Sequence, residues 1–558
     1  MLARNRFILL LVVGVVLAAL SYSLQYLQLM PVAPVEAVRS GGGKNRKRVN
    51  PVLLTPPATP DPLAGAYLYC NTPNRTQQTW EGHSPADYQL LSVQVMIRHG
   101  DRYPLYSIPR TKKPPIDCIL SPNKKPSHPL LSSFIAHMGK DGQENWDASL
   151  TSLPRLPNHS ACEMGELTQT GVVQHLRNGQ LLRGAYLRGP PLLPASLGSS
   201  QVLLETTGKS RTLQSGLALL YGLLPGGHQR SALRVRQHWN ALFCGRSCDC
   251  PARQRHLEAE QRRQYRLRVA DTRLDRAYVA MAAALGVSPR AIRAANPVDA
   301  LLCHLCHGLP FPCRVADGNG DNDSNAFSVS AATTCLTPAH LAEIRRQQEE
   351  DERERRGAGL YHRYAVLAAQ PYLERCAARM ERVARGNLSP TEPLVTLASA
   401  HDITLTPVLS ALGLEGVAAF PGFAARLVME LWRRPPPAGG GARDRETERE
   451  RDRETERGRD RETERARDRE TERGRDRETE RGRELKGRRS DDLFVRVLYN
   501  GEDLTFHTAF CRTHPRHTHT HTHTPLCPLG RFLRFVRGEI FSPLNATSYQ
   551  EACHASVP

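Results

Sequence analysis

The first 69 residues contain no cysteine, and the segment from Phe7 to Met30 contains no charged residue. This uncharged segment of 24 residues is long enough to cross a hydrocarbon core of about 30 Å, at roughly 1.5 Å per residue in a helix. A secretory signal usually has an apolar region of only about 7–15 residues. The sequence therefore predicts an uncleaved transmembrane signal-anchor over residues 7–30.

Basic residues are distributed unevenly about this segment. Arg4 and Arg6 precede it, and Arg39 is the first basic residue after it. The positive-inside rule then predicts a single-pass type II membrane protein, in which residues 1–6 form a cytoplasmic tail and the remainder is lumenal. Residues 31–65 are rich in proline and glycine and include "GGGKNRKR", which predicts an extended stem. A short tail, one span and a stem are typical of Golgi-resident enzymes, so we expect a Golgi membrane location.

The chain also lacks an RRM signature, a zinc-finger pattern and a lysine-rich tail, despite a net charge of +19 and a pI near 9.6. Nucleic acid is therefore not expected as a partner. The excess of basic residues leaves three interpretations open: a membrane surface, an anionic polysaccharide, or scattered arginines that favour solubility.

Cysteines are present in the rest of the chain, 14 in all from Cys70 to Cys553. Their even number and the predicted anchor favour an oxidising lumenal compartment and a set of disulfides. Five glycosylation sequons lie in the same region. These candidate glycosylation sites are Asn74, Asn158, Asn322, Asn387 and Asn545.

The body, residues 66–558, alternates buried-strand and helix patterns, which predicts an α/β fold with a mostly parallel sheet. The predicted strands are Tyr88–Ile97, Val202–Thr206 and Leu394–Ser399, with Arg426–Trp432 and Leu493–Tyr499 as a hairpin. The predicted helices are Leu167–Leu187, with Thr168 or Thr170 as cap, Arg211–Leu224, one from about Leu405, and charged helices in 254–300. In such sheets ligands bind beyond the carboxyl ends of the strands.

Two low-complexity tracts interrupt this pattern. "RDRETER" recurs within residues 443–484, between the two hairpin strands, with nearly balanced charge and no apolar face. We expect a solvated insert in the hairpin loop. "HTHTHTHT", from His517 to Thr524, offers alternating imidazoles to a metal ion, although such alternation also arises from translated simple-repeat DNA.

The string "CHLCH", from Cys303 to His307, matches a haem-attachment pattern and offers four ligands to zinc. In a lumenal domain disulfides are the better interpretation, and we expect neither a metal nor a cofactor. The four tryptophans are candidates for stacking on a sugar ring, although core packing is the more common role. They are Trp80, Trp146, Trp239 and Trp432.

Three polar motifs follow the three predicted buried strands: "RHGDR", "GKSRT" and "AHD". The first places His99 between Arg98 and Arg102, and the second supplies Arg211. Guanidinium groups bind phosphate oxygens bidentately and lower the pKa of a neighbouring imidazole, which keeps the nucleophilic neutral form available. We expect Gly100 to leave room for the close approach of a phosphate.

The third motif supplies His401, as a phosphate donor, and Asp402. A neutral His99 nitrogen can attack phosphorus, and Asp402 can protonate the departing oxygen. The second role needs a protonated carboxyl, so activity should favour mildly acidic pH. The competing interpretation of Asp402 is helix capping.

"RHGDRYP", "SRTLQSG" and "SAHD" resemble the motifs of the histidine acid phosphatase family. The resemblance implies a histidine-phosphatase-like sheet flanked by helices with a helical cap subdomain. It also implies a phosphohistidine intermediate and no cofactor. By motif position it assigns the nucleophile to His99, the acid to Asp402, and phosphate binding to Arg98, Arg102, Arg211 and His401.

A longer likeness, from about Leu68 to Val536, resembles a Golgi branch of that family. It implies removal of the 2-phosphate from xylose in the glycosaminoglycan–protein linkage oligosaccharide, with linkage-region glycosyltransferases as further partners. Two alternatives stay open: a phosphatase for inositol polyphosphates or general phosphomonoesters, and a catalytically silent glycan-binding protein. The intact six-residue set argues against the silent alternative.

Overall fold

The structure is a computed structural model of the 558-residue chain. It describes Asp61 and residues 63–70, 79–83, 88–139, 153–187, 201–225, 234–315, 335–386, 392–418, 420–434, 492–512 and 526–556. The predicted tail, anchor and most of the stem, the repeat insert and the histidine–threonine tract lie outside these residues. So do Trp146 and three of the five sequons, whereas Asn158 and Asn545 are described and exposed.

One mixed sheet organises the described residues. Its order is β3-β2-β4-β1-β5-β6-β7, with β8 also paired to β6. The first four strands in this order are mutually parallel, and the rest are antiparallel. The strands are β1 Gln89–Arg98, β2 Val202–Thr207, β3 Arg234–His238, β4 Val395–Ala400, β5 Arg426–Arg433, β6 Leu493–Tyr499, β7 Glu502–Asp503 and β8 Cys527–Pro528.

Helices precede, connect and follow the strands of this sheet in sequence. They are α1 Ala64–Cys70, α2 Leu131–Gly139, α3 Gln169–Leu187, α4 Ser210–Leu223, α5 Pro251–Ala270, α6 Thr272–Leu285, α7 Pro289–Ala294, α8 Pro297–Cys306, α9 Pro338–Ala358, α10 Leu360–Arg385, α11 Asp402–Ala411, α12 Leu529–Arg537 and α13 Tyr549–His554. The predicted fold class, an α/β fold with a mostly parallel sheet flanked by helices, is confirmed.

The three predicted buried strands are confirmed as β1, β2 and β4, with ends that differ by one residue. Every residue of β2 and β4 is buried, because helices cover both faces of a parallel sheet. The helix predicted from about Leu405 begins instead at Asp402. Its first turn alternates polar and apolar residues, so it shows no helical periodicity. In this turn the Asp402 carboxylate accepts from the backbone N–H of Ile403 at 2.8 Å.

The predicted hairpin is confirmed, since β5 and β6 pair antiparallel from Leu427 with Tyr499 to Arg433 with Leu493. The repeat tract of the sequence lies between these two strands. A long insertion at such a loop adds only a slowly growing closure cost, because that cost rises with the logarithm of loop length. The core pairing therefore does not depend on the inserted residues.

A second apolar cluster lies apart from the core of the sheet. It combines α1 with α6, α7, α8 and α9, and its buried members include Leu274, Met281, Leu301 and Ile344. Phe423, from the loop before β5, also belongs to it. These helices form the helical subdomain that the resemblance implies, and Phe423 brings its core to the end of β1.

Twelve of the 14 cysteines are paired. The bonds are Cys70–Cys306, Cys118–Cys162, Cys244–Cys248, Cys250–Cys553, Cys313–Cys335 and Cys511–Cys527. Cys303 and Cys376 are buried free thiols. Within the described part of the chain, no helix has the length and apolar character needed to cross a membrane.

Candidate active site

The three predicted motifs meet at one edge of the sheet. In the register of the parallel strands Arg98 pairs with Ala400, and Thr206 pairs with Ser399. The residues that follow β1, β2 and β4 therefore emerge side by side. The rings of His99 and His401 are 5.4 Å apart between centroids.

His99 is fixed in one tautomer. Its Nδ1 lies 2.8 Å from the carbonyl oxygen of Gly100, which can only accept, so Nδ1 carries the proton and Nε2 keeps its lone pair. Burial lowers the pKa of His99 well below its ordinary value, and the charges of Arg211 and Arg98 lower it further. The imidazole is thus neutral at working pH, with Nε2 available as a nucleophile.

Arg98 is completely buried at the end of β1. Its guanidinium group lies between the rings of Tyr69 and Phe423, 4.7 and 4.5 Å from their centroids. It donates to the carbonyl of Pro421 and forms an ion pair of 3.1 Å with the Asp402 carboxylate. These contacts fix a permanent cation beside His99.

Arg102 is buried and bound bidentately by Asp299, at 2.9 and 3.2 Å, from the first turn of α8. Burial lowers the pKa of Arg102, but the charge and hydrogen bonds of Asp299 outweigh this and raise it overall. Asp299 also accepts from the backbone N–H of Leu105 at 2.6 Å. The helical subdomain therefore holds this arginine at the site.

Arg211, in the first turn of α4, has no such partner. No described residue forms a hydrogen bond or ion pair with it, and its Nε is buried without a partner. Burial and the neighbouring charge of Arg102 lower the pKa of Arg211 to about 9. A buried guanidinium group without a counterion is costly, and a bound anion would offset that cost.

His401 and Asp402 lie at the start of α11. The Nε2 of His401 is 2.9 Å from the hydroxyl of Thr207, at the end of β2. Burial, followed by the charges of Arg211 and Arg98, lowers the pKa of His401 well below its ordinary value. Asp402 keeps 18% side-chain exposure, so a reactant can reach it. The N-cap position of α11 is His401, which makes no side-chain cap, and the Asp402 carboxylate accepts from the backbone N–H of the next residue, Ile403.

Gly100 has a different role from the predicted one. A Cβ atom there would lie 2.4 Å from the carbonyl oxygen of Gly171 in α3, so the glycine permits contact between two backbones rather than the approach of a phosphate. Gly165 is the glycine that lies against an arginine of the site. Its φ is +78°, and a Cβ atom there would lie 2.7 Å from Leu105 and 3.3 Å from Arg211.

In the "CHLCH" string, Cys306 is bonded to Cys70 and is therefore not available as a ligand for zinc or for haem attachment. The expected disulfide is confirmed for Cys306 and wrong for Cys303, which is a buried thiol. His307 contacts the Asp101 carboxylate at 2.7 Å. Among the described residues, one group has the spacing of metal ligands, and it contains the cysteines of the Cys118–Cys162 disulfide.

The structure thus brings together all six residues predicted from the sequence, and it adds four that the sequence did not single out: Asp299, Tyr69, Phe423 and Thr207. A signal for Asp299 existed, since it is an acidic residue two positions after a proline that starts a helix. The other three carry no local signal, because each is recognised only by its contact with Arg98 or His401.

Comparison with known proteins agrees with this geometry. The family model described as histidine phosphatase superfamily (branch 2) matches residues 89–457. A Danio rerio protein named 2-phosphoxylose phosphatase 1 is 58% identical, with 100% of both chains covered. A Homo sapiens protein of the same name is 45% identical over 99% of both chains.

Among solved structures, the crystal structure of the phytase from D. castellii covers 88% of each chain at 14% identity, with a TM-score of 0.38. The assignment rests on the sequence matches and not on this likeness. Because the family model spans more than half of the chain, the chain belongs to branch 2 of the histidine phosphatase superfamily, and it is a phosphoric monoester hydrolase.

Proposed function

We propose that this chain hydrolyses its substrate through a phosphohistidine formed on Nε2 of His99. One observation carries the proposal: a neutral, buried imidazole faces a buried arginine, Arg211, that no described residue neutralises. This combination suits a dianionic phosphate, because the unmatched cation binds the anion while the uncharged nucleophile attacks it.

In the first step the Nε2 lone pair of His99 attacks phosphorus in line with the bond to the leaving oxygen. The N–P bond forms as that P–O bond breaks, and the Asp402 carboxyl gives its proton to the leaving oxygen. Arg98, Arg102, Arg211 and His401 stabilise the charge on the three remaining phosphoryl oxygens. Asp402 must begin this step protonated, so activity should favour mildly acidic pH.

In the second step water attacks the phosphorus of the phosphohistidine from the side that the alcohol has left. The Asp402 carboxylate accepts a proton from this water, the N–P bond breaks, and its electron pair returns to Nε2. Inorganic phosphate leaves and Asp402 is again protonated. The two steps together hydrolyse one phosphomonoester and regenerate both groups without a metal ion.

For the substrate we propose the 2-phosphate of xylose in the glycosaminoglycan–protein linkage region, during proteoglycan synthesis. The support comes from relatives named 2-phosphoxylose phosphatase 1, which match over the whole length at 45–58% identity. The uncharged segment at residues 7–30 supports the further proposal of a type II Golgi membrane protein with a lumenal catalytic domain. Linkage-region glycosyltransferases would then share its compartment.

The test supplies the purified full chain with a phosphoxylosyl linkage oligosaccharide and, separately, with inositol hexakisphosphate, and measures the release of inorganic phosphate. We expect a higher kcat/KM on the oligosaccharide. Preference for the inositol ester would overturn the substrate, although not the reaction. Protease protection in sealed microsomes tests the orientation, since a lumenal domain resists added protease.

The nucleophile is tested by His99→Ala, which should lower kcat by at least about 10³-fold, because it removes the Nε2 lone pair that attacks phosphorus. Rapid quenching of the parent chain with ³²P-labelled substrate should trap an acid-labile phosphoprotein that the variant lacks. Label retained in the variant would place the covalent bond on another residue.

A further inference from the structure

The carboxyl end of β3 has no role in the reaction described so far. Among the four parallel strands, β1, β2 and β4 each lead into one of the three catalytic motifs. β3 lies at the edge beside β2, and it ends at His238, which pairs with Thr207. Trp239 follows directly in the chain, one residue beyond the pair of His238 with Thr207.

The indole of Trp239 is held out in solvent. Its exposure is 80%, the highest of any large apolar side chain in the described residues. The core-packing interpretation therefore fails for Trp239, although it holds for Trp432, which is completely buried. Isolated exposed apolar residues are common on proteins, so the position of this one has to decide its role.

The loop that carries Trp239 is bonded to α11, the helix that begins with Asp402. The hydroxyl of Thr404, two residues after Asp402, donates to the carbonyl of Ala241 at 2.6 Å. The Asn240 side chain accepts from the backbone N–H of Leu242 at 3.0 Å, and Arg375 donates to the carbonyl of Phe243. The backbone of this loop is thus braced against α11, two residues from Asp402 in sequence.

The bond between Ala241 and Thr404 ties this loop to the helix of the proposed acid. Asp402 donates its proton to the departing oxygen, so the alcohol portion of the substrate lies beside Asp402 while the phosphoryl group lies among the arginines. A ring attached to that oxygen would extend toward the braced loop. An indole face packs well against the C–H face of a pyranose, where apolar surface is buried without loss of the hydroxyl hydrogen bonds at the ring edge.

We propose that Trp239 is a substrate-binding residue that stacks on the pyranose bearing the phosphate, and that it determines the preference of the site for sugar esters. This inference rests on the proposed function and adds to it the residue that recognises the sugar. The exposed Trp239 then selects a neutral ring, whereas the buried arginines of the site select the phosphate attached to that ring.

The experiment compares two secondary alkyl phosphates that differ in the presence of a ring: methyl β-xyloside 2-phosphate and glycerol 2-phosphate. Trp239→Ala in the full chain should lower kcat/KM on the xyloside ester by about tenfold or more, and leave glycerol 2-phosphate within about twofold. Trp239→Tyr should retain the xyloside activity within about threefold, since a smaller aromatic face remains.

Trp80 offers a matched control. It is also exposed, at 58%, and its backbone N–H donates to Gly501 in the β6–β7 turn, at the opposite side of the sheet from β3. Trp80→Ala should leave both rates unchanged. Five strand spacings, roughly 24 Å, separate β3 from β6.

Three outcomes distinguish this inference from the proposed function. A selective loss on the xyloside ester supports the sugar-stacking role. An active parent chain with no loss in Trp239→Ala, or with equal losses on both esters, overturns that role alone. A parent chain that hydrolyses glycerol 2-phosphate and not the xyloside ester overturns the proposed substrate together with the stacking role.

Discussion

At the scale of single residues, the charges of the site are matched with one exception. Arg98 lies beside Asp402 and Arg102 beside Asp299, whereas no described residue pairs with Arg211. Burial lowers the pKa of Arg211 to about 9, which records the cost of keeping this cation away from water. An anion that binds the folded chain and not the unfolded chain offsets this cost, because its binding stabilises the folded state.

This arrangement predicts opposite effects of Arg211→Met on stability and on anion binding. Methionine fills similar space without a buried charge, so we expect the free energy of unfolding to rise by about 1–3 kcal/mol in the absence of ligand. Inorganic phosphate should raise the Tm of the parent chain much more than that of the variant. Equal phosphate-induced shifts in thermal unfolding would contradict the role given to Arg211.

The structural contact of Asp402 and its proposed role as the acid can be separated. Asp402→Asn keeps an oxygen that can accept from the backbone N–H of Ile403, so the start of α11 should survive. It removes the proton donor, so kcat on alkyl phosphates should fall by about 10²–10⁴-fold. Aryl phosphates need no protonation of their stable leaving oxygen and should slow far less.

The measurement is kcat for glycerol 2-phosphate and for phenyl phosphates of graded leaving-group pKa. A steeper dependence on leaving-group pKa in the variant than in the parent chain is the expected signature of a lost general acid. Parallel dependences would leave Asp402 only its contacts with Ile403 and Arg98.

At the scale of elements, the sequence predicted the strands that carry the motifs because they are continuous apolar runs bounded by polar residues. β1, β2 and β4 and the pairing of β5 with β6 all follow from that pattern. The sequence offered Thr168 or Thr170 as the cap of α3, and the structure selects Thr168, whose hydroxyl accepts from the backbone N–H of Gly171 at 3.3 Å.

The remaining features depend on contacts between distant segments, which local patterns do not encode. Asp299 meets Arg102 across 197 positions of sequence, and Asn178 meets Arg426 across 248. β3 was not predicted, because its five residues, "RVRQH", lie at the sheet edge and include only one apolar residue. Gly100 was identified correctly as important but for the wrong reason, since its neighbour is the backbone of a helix.

Helix α3 provides a pair of glycines that tests this close approach. A Cβ at Gly171 would lie 2.3 Å from the carbonyl oxygen of Asp101, whereas a Cβ at Gly184 would meet nothing within 4 Å. Gly171→Ala should therefore lower the free energy of unfolding by about 1–3 kcal/mol. It should also lower kcat/KM, because the backbone between His99 and Arg102 must shift.

Gly184→Ala is the matched control in the same helix. It should raise the free energy of unfolding by about 0.5–1 kcal/mol, since alanine loses less conformational freedom than glycine in a helix. Its kcat/KM should equal that of the parent chain. Urea unfolding and steady-state kinetics on both variants decide the matter, and equal behaviour of the two would refute the close contact between α3 and the end of β1.

At the scale of the whole molecule, the site lies where the core of the sheet meets the second apolar cluster. Phe423 belongs to that cluster and contacts Arg98, and Asp299 reaches Arg102 from the same helical group. His99 and His401 are buried at this junction. The same burial forces several histidines to remain neutral, with consequences for the stability of the entire fold.

Buried neutral histidines make stability depend on pH with a definite sign. Burial lowers the pKa of His99, His175 and His401 in the folded chain below the ordinary value of 6.5. Below about pH 6.5 the unfolded chain therefore binds protons that the folded chain does not, and the free energy of unfolding falls as pH falls. Glu205 acts in the same direction at lower pH. Burial raises its pKa, but the hydrogen bond to His238 and the charge of Arg379 outweigh this and lower it from 4.5 to about 2, so its contribution to stability is lost as pH falls below about 4.5.

His175 in α3 allows this effect to be measured apart from the chemistry. It is fully buried, and burial lowers its pKa to about 3, with contact to the Arg98 backbone offsetting only part of the shift. Between pH 6.5 and 5 it should then account for a loss of about 2 kcal/mol in the free energy of unfolding. His175→Leu, which has similar volume and no titratable group, should reduce the pH-dependent loss by that amount, as measured by urea unfolding at both pH values. The comparison uses the difference in free energy of unfolding between the two pH values, so a change in stability common to both pH values does not affect it. If this difference is the same in His175→Leu and in the parent chain, His175 titrates alike in the folded and unfolded chains.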